Sequence, residues 1–172
     1  HNGYWGLAEF DTPSFATLVA MNLAIEQDVH LRRVAVVNPG SGRLACMLRS
    51  RHNARVDLCG RDFLALSASA SNLAQNGSAQ AEAGKLAVAW PDELEEQAYD
   101  MVAEYLDVTP RVDTCALVWA HALRCLKPGG LYLAVASSAD MERFEKYKPK
   151  GCSLVRSKRK KGWAAQLWRL EG

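Results

Sequence analysis

Asn38-Pro39-Gly40-Ser41-Gly42 is the segment whose residue types best suit ligand chemistry. Glycines turn a chain tightly and bring backbone amides against a ligand. A helix starting just after such a turn presents unpaired N–H groups, which suit an anion or a nucleoside-type cofactor. Gly40, Gly42 and Ala45 also fit a G-x-G-x-x-A pattern. A turn with no ligand is the alternative. A second position is the end of the next apolar segment, where an Asp or Glu normally accepts from ribose hydroxyls. There the chain reads Cys59-Gly60-Arg61-Asp62, so Gly60 stands where the acid is expected. Asp62 suits a helix cap, and it is also within reach of a ribose. Glu104, Tyr105 and Asp107 end a further apolar segment and are the candidate catalytic residues. Carboxylates there serve acid–base chemistry, and the Tyr105 ring can stack on a flat base. No Ser-His-Asp or Cys-His set is evident from spacing. No glycine-rich loop ends in Gly-Lys-Ser/Thr, which argues against a P-loop nucleotidase.

The charges are unevenly placed. From Lys146 onward there are nine Lys/Arg and one acid, Glu171, although the whole chain carries a net +2. Lys158, Arg159, Lys160 and Lys161 form the densest run, with Trp163 and Trp168 nearby. Phosphates favour Lys and Arg, and bases favour aromatic faces, so this edge is a candidate RNA-binding strip. A solvated hairpin tip is the alternative. Trp163 and Trp168 are five apart on a strand, so they face opposite sides and one is expected in the core. Five cysteines and four histidines show no ligand spacing, so no metal site is expected. Free cysteines in apolar runs suggest a reducing, cytoplasmic setting.

These residues need elements to position them. Asp11 or Thr12 is expected to cap a first helix, with Pro13 in its first turn and Phe15, Leu18, Val19, Asn22 and Leu23 along it. Residues 34–37 read as a buried parallel strand, followed by a helix through Leu44 and Leu48. Residues 55–60 form strand two, and a helix follows from Asp62 through Ala74, its small polar centre packing closely. Asn76-Gly77 closes it. Residues 85–90 are strand three, and 91–97 are too short for a full crossover helix. Residues 98–106 are strand four, with Met101, Ala103 and Tyr105 on one face. Asp113 caps a helix whose Ala116, Trp119, Leu123 and Leu126 share a face. Lys127-Pro128-Gly129-Gly130 stops it, and residues 131–137 are strand five. A short helix over 139–147 precedes a terminal antiparallel pair. This is an α/β, doubly wound, mostly parallel Rossmann-like sheet with a C-terminal antiparallel hairpin.

The chain has 172 residues, 49% hydrophobic and 23% charged, which suits one globular domain. Residues 1–30 read as an aromatic arm (Tyr4, Trp5, Phe10) with a helix, and 31–172 as the sheet core. The arm could cover apolar surface or dock a protein partner. No run approaches the roughly 18 apolar residues a membrane span needs. The chain begins at His1, with no leader pattern, and is expected to be a fragment of a longer protein.

VAVVNPGSGRLA, RVDLCGRDFLALSASASNLAQNG and ALVWAHALRCLKPGGLYLAVAS together resemble the class I S-adenosylmethionine-dependent methyltransferases. The likeness covers about residues 30–172. The Asn72…Asn76-Gly77 ending resembles the "small methyltransferase" group that modifies ribosomal RNA guanine at N2. The resemblance implies a seven-stranded sheet whose last strand is antiparallel. It implies cofactor contacts at Asn38, Gly40, Gly42 and Gly60, with Ser41 and Asp62 beside them as further candidates, and methyl transfer to a base nitrogen of RNA. The sequence departs from the family at Val36, Asn38 and Gly60, which replace the first-motif acid, its first glycine and the ribose acid. No Asn-Pro-Pro turn follows strand four. These departures resemble the noncatalytic N-terminal half of the small-subunit guanine-N2 enzymes, which supports a catalytic copy elsewhere in the chain. An NADP-dependent reductase is a further alternative, resting on the glycine pattern and on Arg61 as a 2′-phosphate contact.

Overall fold

A computed structural model describes residues 3, 6, 7, 9, 11–76, 86–88 (backbone only), 93–107 and 114–171. In chain order the elements are α1 (Phe15–Ile25), β1 (Arg33–Val37), α2 (Arg43–His52), β2 (Arg55–Gly60), α3 (Phe63–Asn76) and β3 (Leu86–Val88). Then come β4 (Tyr99–Tyr105), α4 (Thr114–Cys125), β5 (Leu126–Ser137), α5 (Ser138–Lys146), β6 (Cys152–Lys160) and β7 (Trp163–Leu170). The strands form one sheet in the order β3-β2-β1-β4-β5-β7-β6. The first five are mutually parallel. β7 is antiparallel to both β5 and β6, between which it lies. The doubly wound sheet with a terminal hairpin is therefore as read from the sequence.

Strand alternation divides the apolar residues into two cores. Val34, Val36, Val56, Leu58, Met101, Leu131, Leu133 and Leu167 point to one face, under α1, α2 and α3. Val37, Val102, Tyr132, Ala134 and Trp168 point to the other, under α4 and α5. There Trp119 stacks on Phe144 at 4.4 Å and meets Trp168 edge-on at 5.4 Å. Trp168 is thus the core tryptophan of the hairpin, and Trp163 is exposed.

Several local expectations need correction. Ser14 caps α1, its hydroxyl accepting from Thr17 N, so Asp11, Thr12 and Pro13 all precede the helix. The buried side of α1 is Ala16, Thr17, Val19, Ala20, Leu23 and Ala24, whereas Phe15 and Asn22 are exposed. α4 buries Cys115, Trp119, Ala122 and Cys125, and Ala116 faces outward. A bulge between Tyr99 and Met101 turns Tyr99 into the core opposite to that of Met101. β5 starts at Leu126, so the Lys-Pro-Gly-Gly segment belongs to the irregular start of that strand. Tyr4, Trp5, Phe10, Gly77 and Asp113 lie outside the described residues.

The connection into β4 contributes no full helix over residues 93–97. A polar network fills that position. Asp57, fully buried on β2, accepts from Arg33 Nη2 at 2.9 Å and from the Tyr99 hydroxyl at 2.8 Å, with Arg55 Nε at 3.3 Å. Arg33 reaches on to Glu95 at 2.7 Å and lies over the Tyr99 ring. Removing one member of such a network strands the others without partners. Asp57→Ala is expected to lower unfolding free energy by about 3 kcal/mol. Glu26→Ala, which frees the partly exposed Arg156 and Lys158, is expected to leave it nearly unchanged. Urea denaturation of the two variants checks the contrast.

Candidate functional site

The strand order reverses at β1, where the chain leaves toward β2 on one side and later returns as β4 on the other. In open parallel sheets the carboxyl ends at such a point form the ligand edge. Val37, Gly60 and Tyr105 end the three strands there.

Asn38 occupies the junction with a left-handed backbone, φ +52°. Its backbone N–H donates to Cys59 O at 2.8 Å, and its Nδ2 donates to Tyr105 O at 3.1 Å. One residue thus ties the ends of β1, β2 and β4 together. Its Oδ1 lies against Gly60, where an added Cβ would meet it at 3.2 Å. The side chain of Asn38 and the missing side chain of Gly60 are two halves of one packing solution.

The turn that follows is packed onto α3. Ser69 Oγ donates to Gly40 O at 3.0 Å, and Asn72 Nδ2 donates to Ser41 O at 3.0 Å. Gly42, at φ +85°, would bring a Cβ within 2.8 Å of the Ser69 backbone. The small residues in the centre of α3 are what permit that approach. Gly40 differs, since a Cβ there would meet nothing within 4 Å among the described residues.

From the N-terminal segment comes a residue the sequence reading did not single out. Glu9 is buried, accepts from Ser41 Oγ at 2.9 Å and from Ser14 N at 2.8 Å, and lies 4.0 Å from Arg43 Nε. Burial pushes its pKa up, but hydrogen bonds from Ser14, Thr17 and Ser41 outweigh it and hold the carboxyl below its ordinary value. The chain's own carboxylate therefore sits on the glycine turn. Its only sequence signal is that it is the sole acid in an otherwise apolar and aromatic arm.

The candidate catalytic residues part company. Tyr105 points toward α1, its hydroxyl 2.8 Å from Thr17 Oγ1, and burial keeps the phenol protonated. Glu104 points to the opposite core, where Oε2 accepts from the Tyr132 hydroxyl at 2.9 Å. Asp107 is exposed and pairs with Arg61 from the end of β2, across the end of β1. Asp62 Oδ1 accepts from Ala65 N at 3.1 Å and caps α3. The basic run divides as well. Arg156 and Lys158 pair with Glu26 and Arg159 with Glu142, while Lys160 lies over the Phe15 ring. All five cysteines are free, and no metal-binding group of three ligands occurs among the described residues. No helix among them is long and apolar enough to cross a membrane. A shallow cleft of about 210 Å³ lies at the opposite edge of the sheet, between Leu31, Asp100, Lys127 and Arg169.

No protein-family model matches the chain, and neither does any curated protein sequence. Solved structures do. A ribosomal protein L11 methylase from Lactobacillus delbrueckii subsp. bulgaricus superposes with a TM-score of 0.71 at 14% identity, covering 91% of this chain and 78% of that one. The fold is that of the class I S-adenosylmethionine-dependent methyltransferases. A T. thermophilus 16S rRNA N2 G1207 methyltransferase, solved with AdoMet and guanosine, gives 0.68 at 19% identity. It is covered over 97% of this chain but only 41% of its own length. The methyltransferase fold also carries other chemistry: a [4+2]-cyclase matches at 0.70 and 12% identity, over 99% of this chain and 87% of its own.

Glu104 generates a pH-dependent property. Burial raises its pKa to about 7, against a smaller lowering by the Tyr132 hydrogen bond. The folded state therefore keeps a proton that the unfolded chain loses near pH 4.5. Stability from this group is full below that pH, falls as pH rises toward 7, and is flat above. The difference amounts to about 3 kcal/mol. Glu104→Gln is expected to flatten that fall, so that the variant gains on the parent between pH 5 and pH 8 in thermal melts.

Proposed function

We propose that this chain is a methyltransferase-fold domain of an RNA-modifying protein, acting on ribosomal RNA, that positions RNA and supports a partner domain without using the cofactor itself. The observation that carries this reading is the Asn38 amide lodged against Gly60 across the ends of β1, β2 and β4. A nucleoside cofactor at that edge needs a carboxylate at the end of β2 to hold its ribose. Gly60 supplies none, and its neighbour Arg61 is engaged with Asp107 over the same strand ends. Asp62, the nearest acid in sequence, caps α3. Ser41 spends its hydroxyl on Glu9. Asn38, Ser41 and Asp62 are thus engaged within the chain and Gly60 brings no carboxylate, which supports a domain that does not use S-adenosylmethionine. The same ion pair occupies the Arg61 guanidinium that an NADP-dependent reductase would need for a 2′-phosphate.

Three further points support the RNA half of the reading. One is the concentration of positive charge from Lys146 onward. Another is the hairpin that carries this charge to the sheet margin. The third is the structural likeness to an rRNA methyltransferase of which this chain spans 41%. The reading places residues 1–172 as one unit beside a companion catalytic domain, and the 41% share of that methyltransferase is what supports it.

Calorimetric titration of the chain with S-adenosylhomocysteine, and separately with NADPH, tests the cofactor half. No heat of binding is expected from either at millimolar ligand. Binding near micromolar by S-adenosylhomocysteine would restore a cofactor-using enzyme. For the RNA half, a filter-binding titration with ribosomal RNA fragments at two salt concentrations is expected to show affinity that falls steeply with salt.

A further inference from the structure

The hairpin joining β6 to β7 ends at the carboxyl edge of the sheet, because Trp163 pairs with Ser137 at the end of β5. Lys161 and Gly162 form its two-residue turn with φ +50° and +81°. Asn-Gly is the common pair for such a turn, and a lysine there holds an unfavourable left-handed backbone. The tip is fixed by Ser138 N, which donates to Gly162 O at 2.8 Å. A cation is thus presented on a turn that is tied to the start of α5.

The side chains around the tip share a composition. Trp163 alternates in step with Ala165 and Leu167, which lie in the α1-side core, so its ring stands on the α1 face. Trp163 is 38% exposed, and Phe15, the first residue of α1, is 41% exposed. Lys160 joins them: it is the strand partner of Trp163, and its Nζ lies 5.7 Å from the Phe15 ring centroid. The cations further along β6 are answered by acids, Arg156 and Lys158 by Glu26 and Arg159 by Glu142. Among the described residues Lys160 and Lys161 have no acidic partner. Unanswered positive charge and half-exposed aromatic rings therefore coincide at one end of the hairpin.

We propose that this tip is a binding site for single-stranded RNA, with unpaired bases stacked on Trp163 and Phe15 and phosphates held by Lys160 and Lys161. Aromatic rings take bases whose faces are free, which a duplex does not offer. The proposal rests on the RNA-positioning reading above and specifies the form of RNA and the residues that hold it.

The test uses the full chain and a fluorescein-labelled 12-nucleotide oligouridine, read by anisotropy. A 12-base-pair RNA duplex and an abasic 12-mer of equal charge serve as comparisons. The oligouridine is expected to bind at least about tenfold more tightly than either comparison. Trp163→Ala is expected to weaken it about tenfold, Trp163→Phe to leave it nearly unchanged, and joint Lys160→Glu and Lys161→Glu to abolish binding. Circular dichroism melts identify variants that fold, and the exposed lysine pair serves if Trp163→Ala does not. Folded variants that bind oligouridine like the parent would overturn the tip as the site while leaving RNA binding intact. Equal affinity for duplex or abasic RNA would overturn stacking. Failure of every RNA to bind would overturn both this proposal and the RNA-positioning reading.

Discussion

Three strand ends are held by one asparagine, and the rest of the carboxyl edge is arranged around it. The left-handed backbone of Asn38 turns the chain out of β1 and aims its N–H at β2, while its side-chain amide reaches β4. Burying such an amide requires that its donors and acceptors be satisfied. Here the donor finds the Tyr105 carbonyl. A side chain at residue 60 would crowd the oxygen, since its Cβ would meet it at 3.2 Å. Asn38 and Gly60, 22 positions apart in sequence, meet in one contact. Together they set the packing where β1, β2 and β4 end.

The same economy appears at the other end of the strands. Among the described residues the link into β4 forms no full helix, and Asp57, Arg33 and Tyr99 join there by hydrogen bonds. The Tyr99 bulge delivers the ring to that junction. Polar closure of this kind is geometrically demanding, because each member leaves an unsatisfied neighbour when it is lost. It ties the starts of β1 and β4 to β2.

Much of the architecture was legible in the sequence. Short apolar runs ending in glycine or polar turns marked the parallel strands, and alternation marked the hairpin, including the split between Trp163 and Trp168. What escaped was whatever depends on competition or distance. Asp11, Thr12 and Ser14 are all credible caps within four positions, and only the tertiary path selects Ser14. α4 is apolar around most of its circumference, so periodicity did not fix which side faces the sheet. Glu104 and Tyr105 are adjacent and read as one cluster, yet the pleat sends them to opposite cores. The absence of an acid at residue 60 was visible. The partnership with Asn38 was not, since no local pattern links them. Glu9 gave no periodic or motif signal at all.

The placement of β7 between β5 and β6 has a consequence for assembly. During synthesis β6 emerges from the ribosome before the strand that it pairs with. Until residues 163–170 arrive, β5 keeps an open border of unpaired amides and carbonyls, and β6 has no berth. Direct pairing of β5 with β6 would be a misregistered trap, filling the gap that β7 must enter. The bulge in β6 between Leu154 and Arg156, and the close-set charges that follow, make that strand a poor template for premature pairing.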